Sequence, residues 1–121
     1  MYKLIILFGQ PTDPLAFLSG WQAFLHMAEQ MPGLRRESVS LIENVIYDGG
    51  KPRPFKIHEF YFDDRAALDA ALASDAGQQA GEWLHQFTDG NFTLLTAPHQ
   101  EATAKEFQPK VTKKKGRARS A

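Results

Sequence analysis

Apolar residues alternate from Tyr2 to Phe8, with Leu4, Ile6 and Phe8 on one side and Ile5 and Leu7 on the other. That pattern predicts a first strand apolar on both faces. Asp13 followed by Pro14 predicts a helix start, a capping carboxylate and then a residue whose missing N–H is not needed in the first turn. Phe17, Trp21, Phe24, Ala28 and Met31 recur at helical spacing, and Pro32-Gly33 ends the stripe. Leu34 to Tyr47 alternates as a long second strand, with Val39, Leu41, Val45 and Tyr47 on one face. Two glycines and two prolines between Asp48 and Pro54 predict a mobile connector.

Lys56 to Phe62 is aromatic-rich and apolar on both alternating faces, as a central strand should be. One residue breaks the run. Glu59 shares a face with Ile57 and Tyr61, where a carboxylate needs a partner or a wet cavity. Asp63-Asp64 then caps a helix carrying Ala66, Leu68, Ala71 and Leu72. Ser74-Asp75 with Gly77 predicts a break and a fresh cap, and Ala76, Ala80, Trp83, Leu84 and Phe87 give the second piece its apolar face. Asp89-Gly90 closes that helix, and Asn91–Thr96 is a last short strand.

The order is βαββαβ, an α+β ferredoxin-like pattern with a four-stranded antiparallel sheet and both helices on one face. Strands one and three lie in its middle. Both are apolar on two faces, so the uncovered side predicts an association patch. Packing that side against a second copy would close a dimeric α+β barrel, and a homodimer is expected.

Composition adds limits. The absence of cysteine excludes disulfides, thiolate nucleophiles and Cys-type metal sites. No apolar run approaches the twenty residues of a membrane span, and Met1–Phe8 lacks the basic leader and cleavage site of a signal peptide, so cytoplasm is the expected compartment. The net charge of zero divides into a body at −5 and a segment 100–121 at +5. Residues 1–99 therefore read as the folded domain, and 100–121 as a basic, disordered tail. Lys113-Lys114-Lys115-Gly116-Arg117 could touch nucleic acid, but without interleaved aromatics and on an acidic body that partner is not expected.

The residues Met31-Pro32-Gly33-Leu34-Arg35-Arg36, Glu59-Phe60-Tyr61-Phe62-Asp63-Asp64 and Ala70-Ala71-Leu72-Ala73-Ser74-Asp75-Ala76-Gly77, with Asp13-Pro14 and Phe17, carry a resemblance over residues 2–97. In them the chain resembles the EthD family of the dimeric α+β barrel superfamily. The resemblance implies an apolar pocket for a small apolar or aromatic molecule, with cofactor-independent oxidoreductase or isomerase chemistry in bacterial catabolism. A non-enzymatic dimeric structural or stress-related binding module is the alternative. The His-x-Pro that EthD-like sequences carry in the first helix is missing. His26-Met27-Ala28 lacks the proline, and an ungapped count back from Pro32 puts Phe24 at the histidine position.

Glu59 is the candidate general base, with a carboxyl pKa raised by desolvation, and Tyr61 the candidate hydrogen-bond donor. The structural alternative pairs Glu59 with Lys3, Arg35 or Arg36. Trp21, Phe24 and Trp83 are candidate ligand-binding residues, with plain helix–sheet core as the alternative for each. His58 reads as a structural histidine on the opposite face, with Phe60 and Phe62. His26 and His85 lie off the apolar stripes, and His99 begins the tail. Four scattered histidines carry no metal signature, so no metal and no cofactor are expected. Haem ligation rests on superfamily analogy alone.

Overall fold

The computed structural model describes residues 1–107, so the run Lys113 to Arg119 lies outside the described residues. The elements are β1 (Tyr2–Gly9), α1 (Pro14–Ala28), β2 (Arg36–Leu41), β3 (Pro54–Phe62), α2 (Arg65–Ala73), α3 (Asp75–Thr88), β4 (Phe92–Pro98) and a single turn, α4 (Ala104–Phe107). All strand pairs are antiparallel and the order across the sheet is β2-β3-β1-β4, with β1 and β3 central. This is the expected ferredoxin-like arrangement. Within one chain the sheet stays open and does not close into a barrel.

Local chemistry sets the helix ends. Asp13 Oδ1 accepts from the Ala16 N–H at 3.2 Å and Asp64 Oδ1 from the Ala67 N–H at 2.8 Å, each satisfying a donor that the first turn leaves free. Ser74 serves two helices. Its hydroxyl donates to the Ala71 carbonyl at 2.6 Å and accepts from the Gly77 N–H at 3.1 Å, so α2 stops and α3 starts on one residue. A Cβ at Gly77 would lie 2.2 Å from the Ala71 carbonyl oxygen, and the junction therefore requires glycine.

The core lies between one sheet face and the helices. Leu4, Ile6 and Phe8 of β1 and Phe60 and Phe62 of β3 meet Phe17, Phe24 and Ala28 of α1, Leu68 and Ala71 of α2, and Ala80 and Leu84 of α3. Phe8, Phe60 and Phe62 have no exposed surface, and burial of each such ring contributes about 1.5 to 3 kcal/mol. Helices α1 and α3 approach closely at Gly20, whose carbonyl accepts from the Trp83 indole N–H at 2.8 Å.

The second strand is shorter than its alternation predicts. After Leu41 one ladder bond remains, from the Ile42 N–H to the Phe55 carbonyl, and the chain then leaves the sheet. Pro52 and Pro54 remove donors from the opposing strand, and Gly49 and Gly50 take left-handed conformations that turn the chain. Val45-Ile46-Tyr47 is thus a strand pattern without a partner, and Ile46 is 95% exposed.

Candidate functional site

Alternation along β3 sends its side chains to two different environments. On the uncovered face, Glu59 stands opposite Ile5 of β1 and Ser38 of β2. Its carboxylate meets the Lys3 ammonium at 2.9 Å and accepts from the Ser38 hydroxyl at 3.2 Å and the Tyr61 hydroxyl at 3.1 Å. Tyr61 is buried in turn. The Arg36 guanidinium lies 3.9 Å from the centre of its ring and the His99 ring 4.9 Å. Glu101 holds both, at 2.6 Å from His99 Nε2 and 3.3 Å from Arg36.

The expected raised pKa of Glu59 is corrected here. Partial burial pushes the carboxyl up, but hydrogen bonds from Lys3, Tyr61 and Ser38, with the Lys3 charge, outweigh it and hold the group below its usual range. Glu59 is an anion at neutral pH, with the Lys3 ammonium on one oxygen and the Ser38 and Tyr61 hydroxyls on the other. Of the partners expected for it, Lys3 is the one found. Arg35 pairs instead with Asp63 through two bonds of 3.0 and 2.8 Å.

Trp21, Phe24 and Trp83 are not on this face. Phe24 packs edge-on against His58 and Phe60, between helix and sheet, whereas Trp83 stacks on Phe87 and bonds the Gly20 carbonyl, joining α3 to α1. Trp21 does something else. Its indole N–H donates to His58 Nδ1 at 3.3 Å, which places the proton of the neutral imidazole on Nε2, and Nε2 meets Glu37 Oε1 at 2.7 Å. The ring also stacks on Phe60 at 4.2 Å. Burial, then the neighbouring Lys56 charge, lower the His58 pKa from the usual 6.5 to about 4, with Glu29 pulling the other way.

Lys56 completes this second cluster. It lies two residues before His58 on the same face, with its ammonium 3.3 Å from the centre of the Trp21 ring, 5.5 Å from that of Phe17 and 5.9 Å from that of Phe55. Burial lowers its pKa as well. The site thus comprises a neutral imidazole, fixed by an indole on one nitrogen and a carboxylate on the other, beside a cation seated among aromatic faces. A ligand displacing the indole N–H would meet a free Nδ1 lone pair, with Glu37 behind the ring to stabilise a proton received there.

Sequence reasoning took His58 as structural and did not single out Lys56 or Glu37. A signal was present. Lys56 and His58 occupy alternate positions of a strand whose remaining residues on that face, Phe60 and Phe62, are wholly apolar. A further cleft of about 310 Å³ opens at the end of β1, lined by Gly9, Gln10, Asp13, Phe17, Phe87 and Asn91 among others. It is lined by neither Glu59 nor Tyr61, and Phe17 separates it from Lys56. Among the described residues no group of three or more His, Asp or Glu stands placed to hold a metal ion, and no helix is long and apolar enough to cross a membrane.

No family model matches the chain. A solved EthD family protein from Bacillus halodurans C-125 superimposes with a TM-score of 0.75 at 29% identity, over 83% of this chain and 99% of that one. The chain is thus similar in fold and in sequence to an EthD family protein. An uncharacterised 11.0 kDa protein of Rhodococcus erythropolis, from the thcB-thcC intergenic region, is 28% identical to this EthD-like chain over 96 residues, 78% of this chain and 91% of that protein. Two more distant structures share the fold. SnoaB, a cofactor-independent oxygenase from Streptomyces nogalater, has a TM-score of 0.60 at 14% identity, covering 85% of this chain and 96% of its own. A dimeric ferredoxin-like protein of unknown function from Bacteroides fragilis has 0.57 at 16%, covering 81% and 95%.

Proposed function

We propose that this EthD-like protein works as a homodimer that holds a small apolar or aromatic molecule between its first helix and the sheet, where His58 moves a proton in cofactor-independent oxidoreductase or isomerase chemistry. One observation carries the reading: the 2.7 Å contact of His58 Nε2 with Glu37, on a ring without exposed surface that stays neutral at physiological pH. The fold shared with a cofactor-independent oxygenase supports the reaction class. The half-buried Ile5, Leu7 and Ile57 and the exposed Leu95 on the uncovered face, with the dimeric relative of the same fold, support the second copy.

In this reading the proton passes through His58, while Glu59 and Tyr61 order the uncovered face. The test is oxygen uptake with 1,4-dihydroxynaphthalene and related acidic aromatics. His58→Asn should lower any turnover by about a hundredfold or more, the usual scale for a lost acid–base group. Equal turnover in wild type and His58→Asn, or a loss confined to Glu59→Gln, would remove the assignment. A non-enzymatic dimeric module is the second reading, and the fully partnered state of Glu59 favours it.

A further inference from the structure

Among the described residues, the Lys56 ammonium has ring faces around it and no carboxylate within ion-pair distance. Aromatic faces attract a cation, but they offer no oxygen to its three N–H donors. The charge thus has no protein counter-charge among the described residues, although its nitrogen is not sealed from solvent. The nearest acidic group of the cluster, Glu37, lies at the wrong end. In the β2–β3 register Glu37 stands opposite Phe60, Val39 opposite His58 and Leu41 opposite Lys56, so Glu37 is four residue pairs away along the strand.

The same register describes an open wall. Val39 and Leu41 lie on the helix side of the edge strand and are 43% and 56% exposed, while Trp21 above them is half-buried. Leu41 pairs with Lys56, so this exposed apolar rim lies beside the Lys56 ammonium, which rests against the Trp21 indole at 3.3 Å, while His58 has no exposed surface.

Resting on the helix–sheet site proposed above, we infer that Lys56 receives the carboxylate of an aromatic or apolar organic acid, so that the ligand of this protein is an anion seated beside the edge strand. The ligand carboxylate supplies the oxygen that the ammonium lacks, and its apolar body covers Val39 and Leu41. Lys56 is then a ligand-contacting specificity residue, which selects acids over neutral molecules of the same shape.

Calorimetric titration of the full chain with 2-naphthoate and with its neutral isostere 2-naphthamide tests this. The acid should bind about tenfold or more tightly than the amide, the scale of one charge-assisted hydrogen bond. In Lys56→Met the acid should lose that advantage while the amide keeps its affinity, and Lys56→Arg should retain the preference. Equal affinities in the wild type, or a preference that survives in Lys56→Met, would overturn the role of Lys56 while leaving the site standing, because the amide still binds. Failure of both ligands to bind the wild type would overturn it together with the helix–sheet site. Should Lys56→Met fail to fold, Lys56→Gln supports the same comparison, and the wild-type ratio decides by itself.

Discussion

His58 and Glu59 are consecutive in the chain and lie on opposite sides of the sheet, one without exposed surface among aromatic rings and the other paired with Lys3 at 2.9 Å. Their titrations differ for that reason, although the pKa of each is lowered. For His58 the cause is desolvation of its charged form; for Glu59 it is the set of donors around its anion.

Stability should fall as pH drops from about 6.5 toward 4. The unfolded chain binds a proton at His58 near pH 6.5 and the folded chain only near 4, so between those values the unfolded state holds more protons and gains on acidification. The full effect is about 3 kcal/mol, from a displacement of some two and a half pH units. Urea unfolding at pH 7, 5.5 and 4.5 measures it. His58→Gln should flatten this segment of the profile, and an unchanged slope in that variant would assign the loss to other groups.

Glu59→Gln should cost about 1 to 2 kcal/mol at pH 7, since Lys3 is left half-buried without its counter-charge. A carboxyl with a depressed folded pKa contributes stability above its unfolded pKa and loses it as pH falls through the folded one. Wild type and variant should therefore draw together as pH falls below the ordinary carboxylate range. Guanidinium midpoints at pH 7 and at acid pH make the comparison, and a difference that does not shrink on acidification would mean that packing rather than charge was lost.

Gly20→Val should destabilise the chain by about 1 to 3 kcal/mol. Even a bare Cβ at this position would stand 2.7 Å from the Phe87 ring, and it cannot be accommodated without moving α3. Thermal melts report the loss. Phe87→Ala in the same background should restore part of it, a rescue that an effect on helix propensity alone would not show.

Ile57→Lys should convert a dimer to a monomer with little effect on the monomer's own fold. Ile57 is half-buried on the uncovered face and contributes nothing to the core beneath the helices. Sedimentation velocity at micromolar concentration distinguishes the two species. A wild-type chain that already sediments as a monomer would remove the dimer, and so would a variant that stays dimeric.

The order of elements was legible because each boundary carries its own chemistry: Asp13-Pro14, Asp64, Ser74 and Asp89-Gly90 all end or begin helices where their residue types require. The extent of β2 was not legible. Alternation continues to Tyr47, but a ladder needs donors on both strands, and Pro52 and Pro54 supply none. For the site, sequence placed His58 and Glu59 on opposite faces and gave the weight to Glu59, which the structure shows paired with Lys3. A carboxylate in an apolar run is conspicuous, whereas its satisfaction by Lys3 and Ser38 depends on strand register. The pairing of Trp21 with His58 spans 37 residues of chain and rests on how α1 lies over β3.

Ser74, shared between α2 and α3, makes chain length matter unequally along this protein. One residue inserted beside it would rotate α3 by roughly 100° and carry Ala80 and Leu84 out of the core, because the two helices have no linker in which to absorb it. The stretch from Glu43 to Arg53 has left the sheet and can lengthen or shorten without disturbing a strand. Relatives of different size should therefore gain and lose residues there, and keep the Ser74 junction at constant length.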